Sequence, residues 1–189
     1  MRPSLIALAL CLFAIPSFAQ ERGDQKVTLA QMNEQASNPS KITVHLKTAT
    51  GQDAGTATFN KTKTGLNITL NFKNLPPGDH GVHIHQNATC EAPAFTTAGG
   101  HFNPDMKKHG TMNPDGHHNG DLPQNVTVGA NGTGKASFAV TYLSMAPGAA
   151  NSIFANGGTS IMVHAAADDM KTDPTGNAGA RIACGVIKP

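Results

Sequence analysis

The chain has 189 residues, with 14 Lys and Arg against 12 Asp and Glu, and a formal net charge of +2 with histidines neutral. Lysines scattered through so balanced a composition, with no basic stripe, exclude a nucleic-acid partner, and the length suits one domain with a sizeable core. Nine histidines stand beside one tyrosine and no tryptophan, an odd balance that draws attention to metal chemistry, because imidazole is a favoured ligand of copper and zinc.

The first residues read as a secretory signal. Arg2 precedes an apolar run over residues 5–15, followed by Pro16 and Ser17-Phe18-Ala19, which places cleavage after Ala19. The run is too short for a membrane helix, which needs roughly 18 or more apolar residues, so no stable membrane insertion is expected after cleavage. Cys11 lies inside it, and Leu10 before that cysteine does not fit a lipoprotein signal. Residues 20–40 are polar and weakly patterned, an N-terminal extension in which Val27, Leu29 and Met32 hint at a short helix. The domain proper spans residues 41–189.

From Ile42 the hydrophobic period is two. Ile42, Val44 and Leu46 alternate with polar residues, Ala57 and Phe59 continue the pattern, and Leu66, Ile68, Leu70 and Phe72 make the clearest strand. Gly51-Gln-Asp-Ala-Gly55 and Pro76-Pro-Gly-Asp79 separate them as turns. Further strands are expected over residues 126–128, 135–142, 160–165 and 181–187. No amphipathic helix is expected, so the class is all-β, a sandwich or barrel. Two stretches break the pattern, residues 87–124 and 166–180. Loops this long in a compact domain are usually functional or disordered. The first holds four of seven candidate ligands and reads as functional. Removal of the signal leaves Cys90 and Cys184, an even pair in an oxidising compartment, which favours a bridge over two buried thiols. On the chain-entropy view, closing so long a loop stabilises a fold by about 4–5 kcal/mol. Asn67, Asn87, Asn125 and Asn131 each begin an Asn-X-Thr triplet, an acceptor for glycosylation only in a eukaryotic secretory pathway.

The candidate ligands are His83, His85, His101, His109, His118, Asp121 and His164. Side chains two apart on a strand share a face, so His83 and His85 project together while Val82 and Ile84 face the core. His164 stands likewise opposite the face of Ile161 and Val163. Three imidazoles from two strands can converge beside a barrel wall and be joined by others from the long loop, a metal-site pattern. His45, between Val44 and Leu46, is the contrasting case of a solvent-facing strand histidine.

Taken in order, Gly81-Val-His-Ile-His85, Gly99-Gly-His-Phe-Asn-Pro104, Lys108-His-Gly110, His118-Asn-Gly-Asp-Leu122, Val163-His164, Ala167-Asp-Asp169 and the run Gly176-Asn-Ala-Gly-Ala-Arg-Ile-Ala-Cys184 resemble the copper/zinc superoxide dismutase family. The short second loop with Asp173-Pro-Thr resembles its bacterial secreted branch. The resemblance covers residues 41–188 and implies an eight-stranded antiparallel Greek-key β-barrel with two long functional loops, in an architecture of which this family is itself a standard example. It implies one copper and one zinc ion per subunit, copper on His83, His85, His101 and His164, zinc on His101, His109, His118 and Asp121. His101 then bridges as imidazolate, since a neutral imidazole has only one lone-pair nitrogen. His118 rather than His117 is the ligand, because the pattern sets it three residues before the aspartate. His80 has a structural role, and Asp168 is the carboxylate that fixes one histidine of each metal, with Asp169 a bystander.

The activity so implied is dismutation of the superoxide anion to dioxygen and hydrogen peroxide, with His101 and Arg181 catalytic and Arg181 guiding the anion. The alternative is a secreted, non-enzymatic copper/zinc carrier on the same fold. The location is the periplasm for a bacterial protein and extracellular for a eukaryotic one. The family is often homodimeric, and no patch in this sequence selects a barrel face.

Overall fold

A computed structural model describes residues 39–189; the expected signal and most of the extension, with Val27, Leu29 and Met32, lie outside them. Nine strands run through the described residues: β1 (Lys41–Thr48), β2 (Asp53–Lys61), β3 (Leu66–Phe72), β4 (Gly78–His80), β5 (Val82–His85), β6 (Val126–Val128), β7 (Gly134–Val140), β8 (Thr159–His164) and β9 (Arg181–Ile187). They form one antiparallel sheet in the order β4-β6-β7-β3-β2-β1-β9-β8-β5. The terminal strands of that order, β4 and β5, are consecutive in the chain and separated by Gly81 alone. One chain run therefore supplies both edges, and the sheet is a nearly closed barrel. The expected count of eight becomes nine because this run divides at Gly81, β4 pairing with β6 and β5 with β8.

The period of two sets the core. In β3, Leu66, Ile68, Leu70 and Phe72 are buried and the residues between them are half-buried. They pack with Leu46, Phe59, Ile84, Ile161 and Ile187 inside the barrel. The alternation fails where it matters for function, since every residue of β5 and β8 is buried. One face of these strands meets the core, and the loops after β5 and β8 cover the other.

Two attachments hold the first loop down. Cys90 and Cys184 are bridged, with 5.7 Å between Cα atoms, and Phe95, Ala98, Met162 and Cys184 form a small second core beneath the bridge. Further along, three backbone hydrogen bonds close a ring: Ile84 N donates to Gly120 O (2.8 Å), Gly120 N to Phe102 O (2.7 Å), and Phe102 N to Ile84 O (2.8 Å). The outer edge of β5 is thus paired with its own downstream loop, which removes an exposed edge. Only glycine fits at 120, because a Cβ there would overlap the carbonyl of Ile84. Helical structure among the described residues amounts to 3-10 turns at Thr96–Ala98 and Ala155–Gly157, and no helix there is long and apolar enough to cross a membrane.

Candidate metal centre

The backbone ring brings three chain segments to one place. β5 supplies His83 and His85, the segment at Phe102 supplies His101, and the turn at Gly120 supplies His118 and Asp121; His164 arrives from the end of β8 and His109 from the loop between. All seven side chains are buried. His45 is exposed and His117 half-buried, both outside the cluster.

His83, His85, His101 and His164 form the first set, each with one ring nitrogen held and the other free. His85 Nδ1 donates to Gly99 O (2.9 Å) and His164 Nδ1 to Gly179 O (3.1 Å). Since a carbonyl only accepts, these contacts fix the tautomers and leave the lone pair on Nε2. His83 Nε2 donates to Asp168 Oδ2 (2.7 Å), leaving its lone pair on Nδ1, and His101 Nδ1 lies 2.9 Å from Asp121 Oδ1. The remaining nitrogens, His83 Nδ1 and the Nε2 atoms of His85, His101 and His164, are buried without a hydrogen-bond partner. The four residues offer ligand atoms within 4.8 Å of one another. Unpartnered buried acceptors are costly, and four together fit a cation that prefers imidazole. Three of the rings also favour the neutral form in the metal-free fold. Burial lowers the His101 pKa to about 4 and that of His164 to about 3, and burial with the neighbouring His101 lowers that of His85.

The second set is built around one carboxylate. Asp121 Oδ1 has His101 Nδ1 at 2.9 Å, His109 Nδ1 at 3.1 Å and His118 Nδ1 at 3.2 Å. Its Oδ2 accepts from Gly110 N (2.8 Å) and His118 N (3.1 Å). Burial opposes the Asp121 charge, but hydrogen bonds from the three histidines and Gly110 outweigh it and hold the carboxyl well below its usual range. His109 is likewise penalised by burial, yet Asp121 and Asp168 together raise it to about 9. Three nitrogens and an oxygen suit zinc. A group whose ligand atoms all lie within 4.8 Å joins His83, His101, His109 and Asp121; His118 Nδ1 stands 3.4 Å from His101 Nδ1.

Asp168 joins the sets. Its Oδ2 accepts from His83 and its Oδ1 lies 3.0 Å from His109 Nε2 and 2.7 Å from Met170 N. Gly176, with φ +62°, lies against this carboxylate, and a Cβ there would overlap Asp168 Oδ1 and His109 Nε2. Asp169 instead organises its own turn through Thr172 and Asn177. His80 is buried between two carbonyls, with Nδ1 2.7 Å from His164 O and Nε2 2.8 Å from Pro76 O.

Arg181 opens β9 and is fixed by two backbone carbonyls, Nη1 donating to Phe95 O and Nη2 to Gly99 O, both at 2.6 Å. It shares with His85, His101, His118 and His164 a cavity of about 330 Å³. A larger recess bounded by Phe102 and Phe154 has no titratable group in its wall.

Two participants escape the sequence reading. Asn125 Nδ2 donates to Asp168 O (2.9 Å) and its Oδ1 accepts from Asp168 N (2.8 Å), clamping that backbone from both sides. Tyr142 donates from its hydroxyl to Asp121 O (2.8 Å); burial and the charge of Asp121 raise its pKa, so it remains a donor.

The family profile described as copper/zinc superoxide dismutase matches residues 53–187. A superoxide dismutase [Cu-Zn] of Aquifex aeolicus is 44% identical over 139 residues, covering 73% of this chain and 81% of the relative. The crystal structure of a SOD-like protein from Bacillus subtilis superposes with a TM-score of 0.72 at 38% identity, over 77% of this chain and 97% of that one. The Cu/Zn superoxide dismutase from Brucella abortus does so with 0.63 at 30% identity, over 78% and 99%. The chain belongs to the copper/zinc superoxide dismutase family. This is a family of oxidoreductases using one copper and one zinc ion per subunit, and the two histidine-rich groups fit that pair of cofactors.

Proposed function

We propose that this chain dismutes superoxide, 2 O2•− + 2 H+ → O2 + H2O2, with copper held by His83, His85, His101 and His164 and zinc by His101, His109, His118 and Asp121. The observation that carries the reading is the set of four unpartnered, buried imidazole nitrogens beside a cavity that Arg181 also lines. His118 belongs to the zinc set in preference to His83, because His83 Nε2 is engaged by Asp168 and its one remaining nitrogen serves the copper set.

When bound, copper supplies one-electron exchange between Cu(II) and Cu(I), and zinc supplies a fixed positive charge with no redox change. The side chains do the rest. His101 presents Nδ1 to the Asp121 side and Nε2 to the other set, so it can hold a proton at Nε2 and release it to the departing peroxide while Nδ1 stays anchored. Arg181 has its guanidinium fixed by Phe95 O and Gly99 O, so it meets an anion in the cavity without reordering. Steering by such local positive charge is an effect of which superoxide dismutases are themselves the standard instance. Asp168 keeps the His83 and His109 rings in their tautomers.

The same reading takes residues 1–19 as an export signal, 20–40 as an extension and 41–189 as the catalytic domain. It places the mature protein outside the cytoplasm, in the periplasm of a bacterium or outside a eukaryotic cell, and is compatible with a homodimer. The bacterial relatives and the disulfide are compatible with secretion.

The test is superoxide decay by mature protein loaded with copper and zinc, beside His101→Ala. Fast decay that collapses in the variant is the expected result. Uptake of both metals without decay in the unaltered protein would overturn the dismutase reading in favour of a metal carrier.

A further inference from the structure

We propose that Tyr142, just beyond the end of β7, is the positioning residue of the zinc half: it fastens the turn of residues 118–121 so that His118 Nδ1 and Asp121 Oδ1 meet. This rests on the zinc ligand set proposed above.

The turn is held from within by Asp121 N donating to His118 O (3.1 Å) and His118 N donating to Asp121 Oδ2 (3.1 Å). Those bonds make it a unit but do not orient it. On one side Gly120 is tied into the backbone ring with Ile84 and Phe102. The bridge between His83 and Asp121 and the bond from Gly110 N to Asp121 Oδ2 (2.8 Å) add to that attachment.

Residue 142 supplies the opposing attachment, at alternate positions of the segment. The His117 ring meets the Tyr142 ring edge-on, with centroids 4.4 Å apart. Asn119, itself buried, donates from Nδ2 to Tyr142 O (3.1 Å). Asp121 O accepts from the Tyr142 hydroxyl (2.8 Å). Asn151 Nδ2 also donates to Tyr142 O (3.2 Å), fixing the anchor to the loop that follows. His117 in turn donates from Nδ1 to His118 O (2.7 Å). The turn is therefore gripped between β5 and residue 142, and His118 and the Asp121 carboxylate project between the grips. Removing the hydroxyl alone frees the carbonyl of a ligand residue while leaving the ring against His117.

Tyr142→Phe tests this in full-length mature protein carrying both metals. We expect zinc to pass to a competing chelator about tenfold faster than from the unaltered protein, matching the lower end of the 10–100-fold affinity loss typical when a group supporting a metal ligand is removed. Copper content and the melting temperature of the metal-free protein should stay unchanged. With cobalt(II) in the zinc position, the visible bands should shift, reporting altered ligand geometry. A zinc transfer rate within twofold of the unaltered protein, with unshifted cobalt bands, overturns the inference. So does an equal fall in melting temperature of metal-free and metal-loaded protein, which would make Tyr142 a packing residue only. If the unaltered protein holds no zinc, the ligand reading itself fails and the inference falls with it, a result distinct from either of the others.

Discussion

The copper and zinc halves of the metal centre, as proposed above, are built on different principles. Three of the four histidines of the copper half stand on strands, and two of those, His85 and His164, are oriented by backbone carbonyls. Their free nitrogens have no partner in the protein. The zinc half is carried wholly by the loop between β5 and β6, with three histidines gathered around Asp121 and, among their ring nitrogens facing it, His109 Nδ1 alone without a well-formed hydrogen bond. The strand-built cage is a set of lone pairs awaiting a cation. In the loop-built cage protons already do part of the work that a cation would do. Rigidity thus comes from the barrel in one case and from charge pairing in the other.

The sharpest way to break this contrast is Asp168→Ala, since Asp168 touches both halves. Loss of a carboxylate that orients ligands typically costs 10–100-fold in metal affinity. We expect zinc affinity to fall by about that factor and copper affinity by less than about tenfold, because His85 and His164 keep their carbonyl anchors. Competition titrations with each metal separately check it, and an equal loss for both would mean that the barrel does not hold the copper cage by itself.

A smaller, graded effect is expected with pH. Asp121 and Asp168 keep His109 protonated up to about 9 in the metal-free fold. Zinc must displace that proton, so its apparent affinity should fall about tenfold for each pH unit below 9. His101 and His164, depressed to about 4 and 3, offer copper no such competition between pH 5 and 8. Stability of the metal-free protein follows the same signs. The His109 contribution is complete below the ordinary histidine value of 6.5 and is lost as pH rises through about 9. The contribution of His101 and His164 is complete above 6.5 and is lost as pH falls toward 4 and 3. Zinc and copper titrations across pH 5–9 with parallel slopes would contradict the contrast.

The smallest expected effect is that of His117→Ala, which removes an edge contact to Tyr142 and the bond to His118 O but none of the nitrogens around Asp121, while the Tyr142 hydroxyl and Asn119 keep their hold on the turn. Zinc content measured by mass spectrometry should be unchanged. Loss of zinc together with shifted cobalt(II) bands would give His117 more than a supporting part in the turn.

Much of the barrel was legible in the chain, because a two-residue period leaves little choice of face once one side must be buried. β1, β3 and β9 fall where Ile42, Leu66 and Arg181 announce them. The division at Gly81 was not legible, since it depends on which neighbours β4 and β5 find. Nor was the full burial of β8, where Ser160 and Met162 are covered by a loop remote in sequence. The ligand pool could be read from residue types alone, but its partition between two metals came from the resemblance. What positions the ligands was largely hidden. Gly99 O, Gly179 O and Phe95 O orient His85, His164 and Arg181, and a backbone carbonyl has no residue identity to read. Asn125 looked like the start of a glycosylation triplet, and Tyr142 like the end of a strand.

The ring of backbone bonds joining Ile84, Phe102 and Gly120 also guards against misfolding. β5 has only four residues, and a strand that short tolerates slippage along β8. A shift of one position would turn His83 and His85 into the aliphatic interior and Ile84 outward. It would also present the wrong backbone groups to Gly120 and Phe102, so both bonds that Ile84 makes in the ring would be lost together. The loop that completes the site therefore acts as a ratchet on strand alignment, and a chain that has docked it has already aligned the histidines.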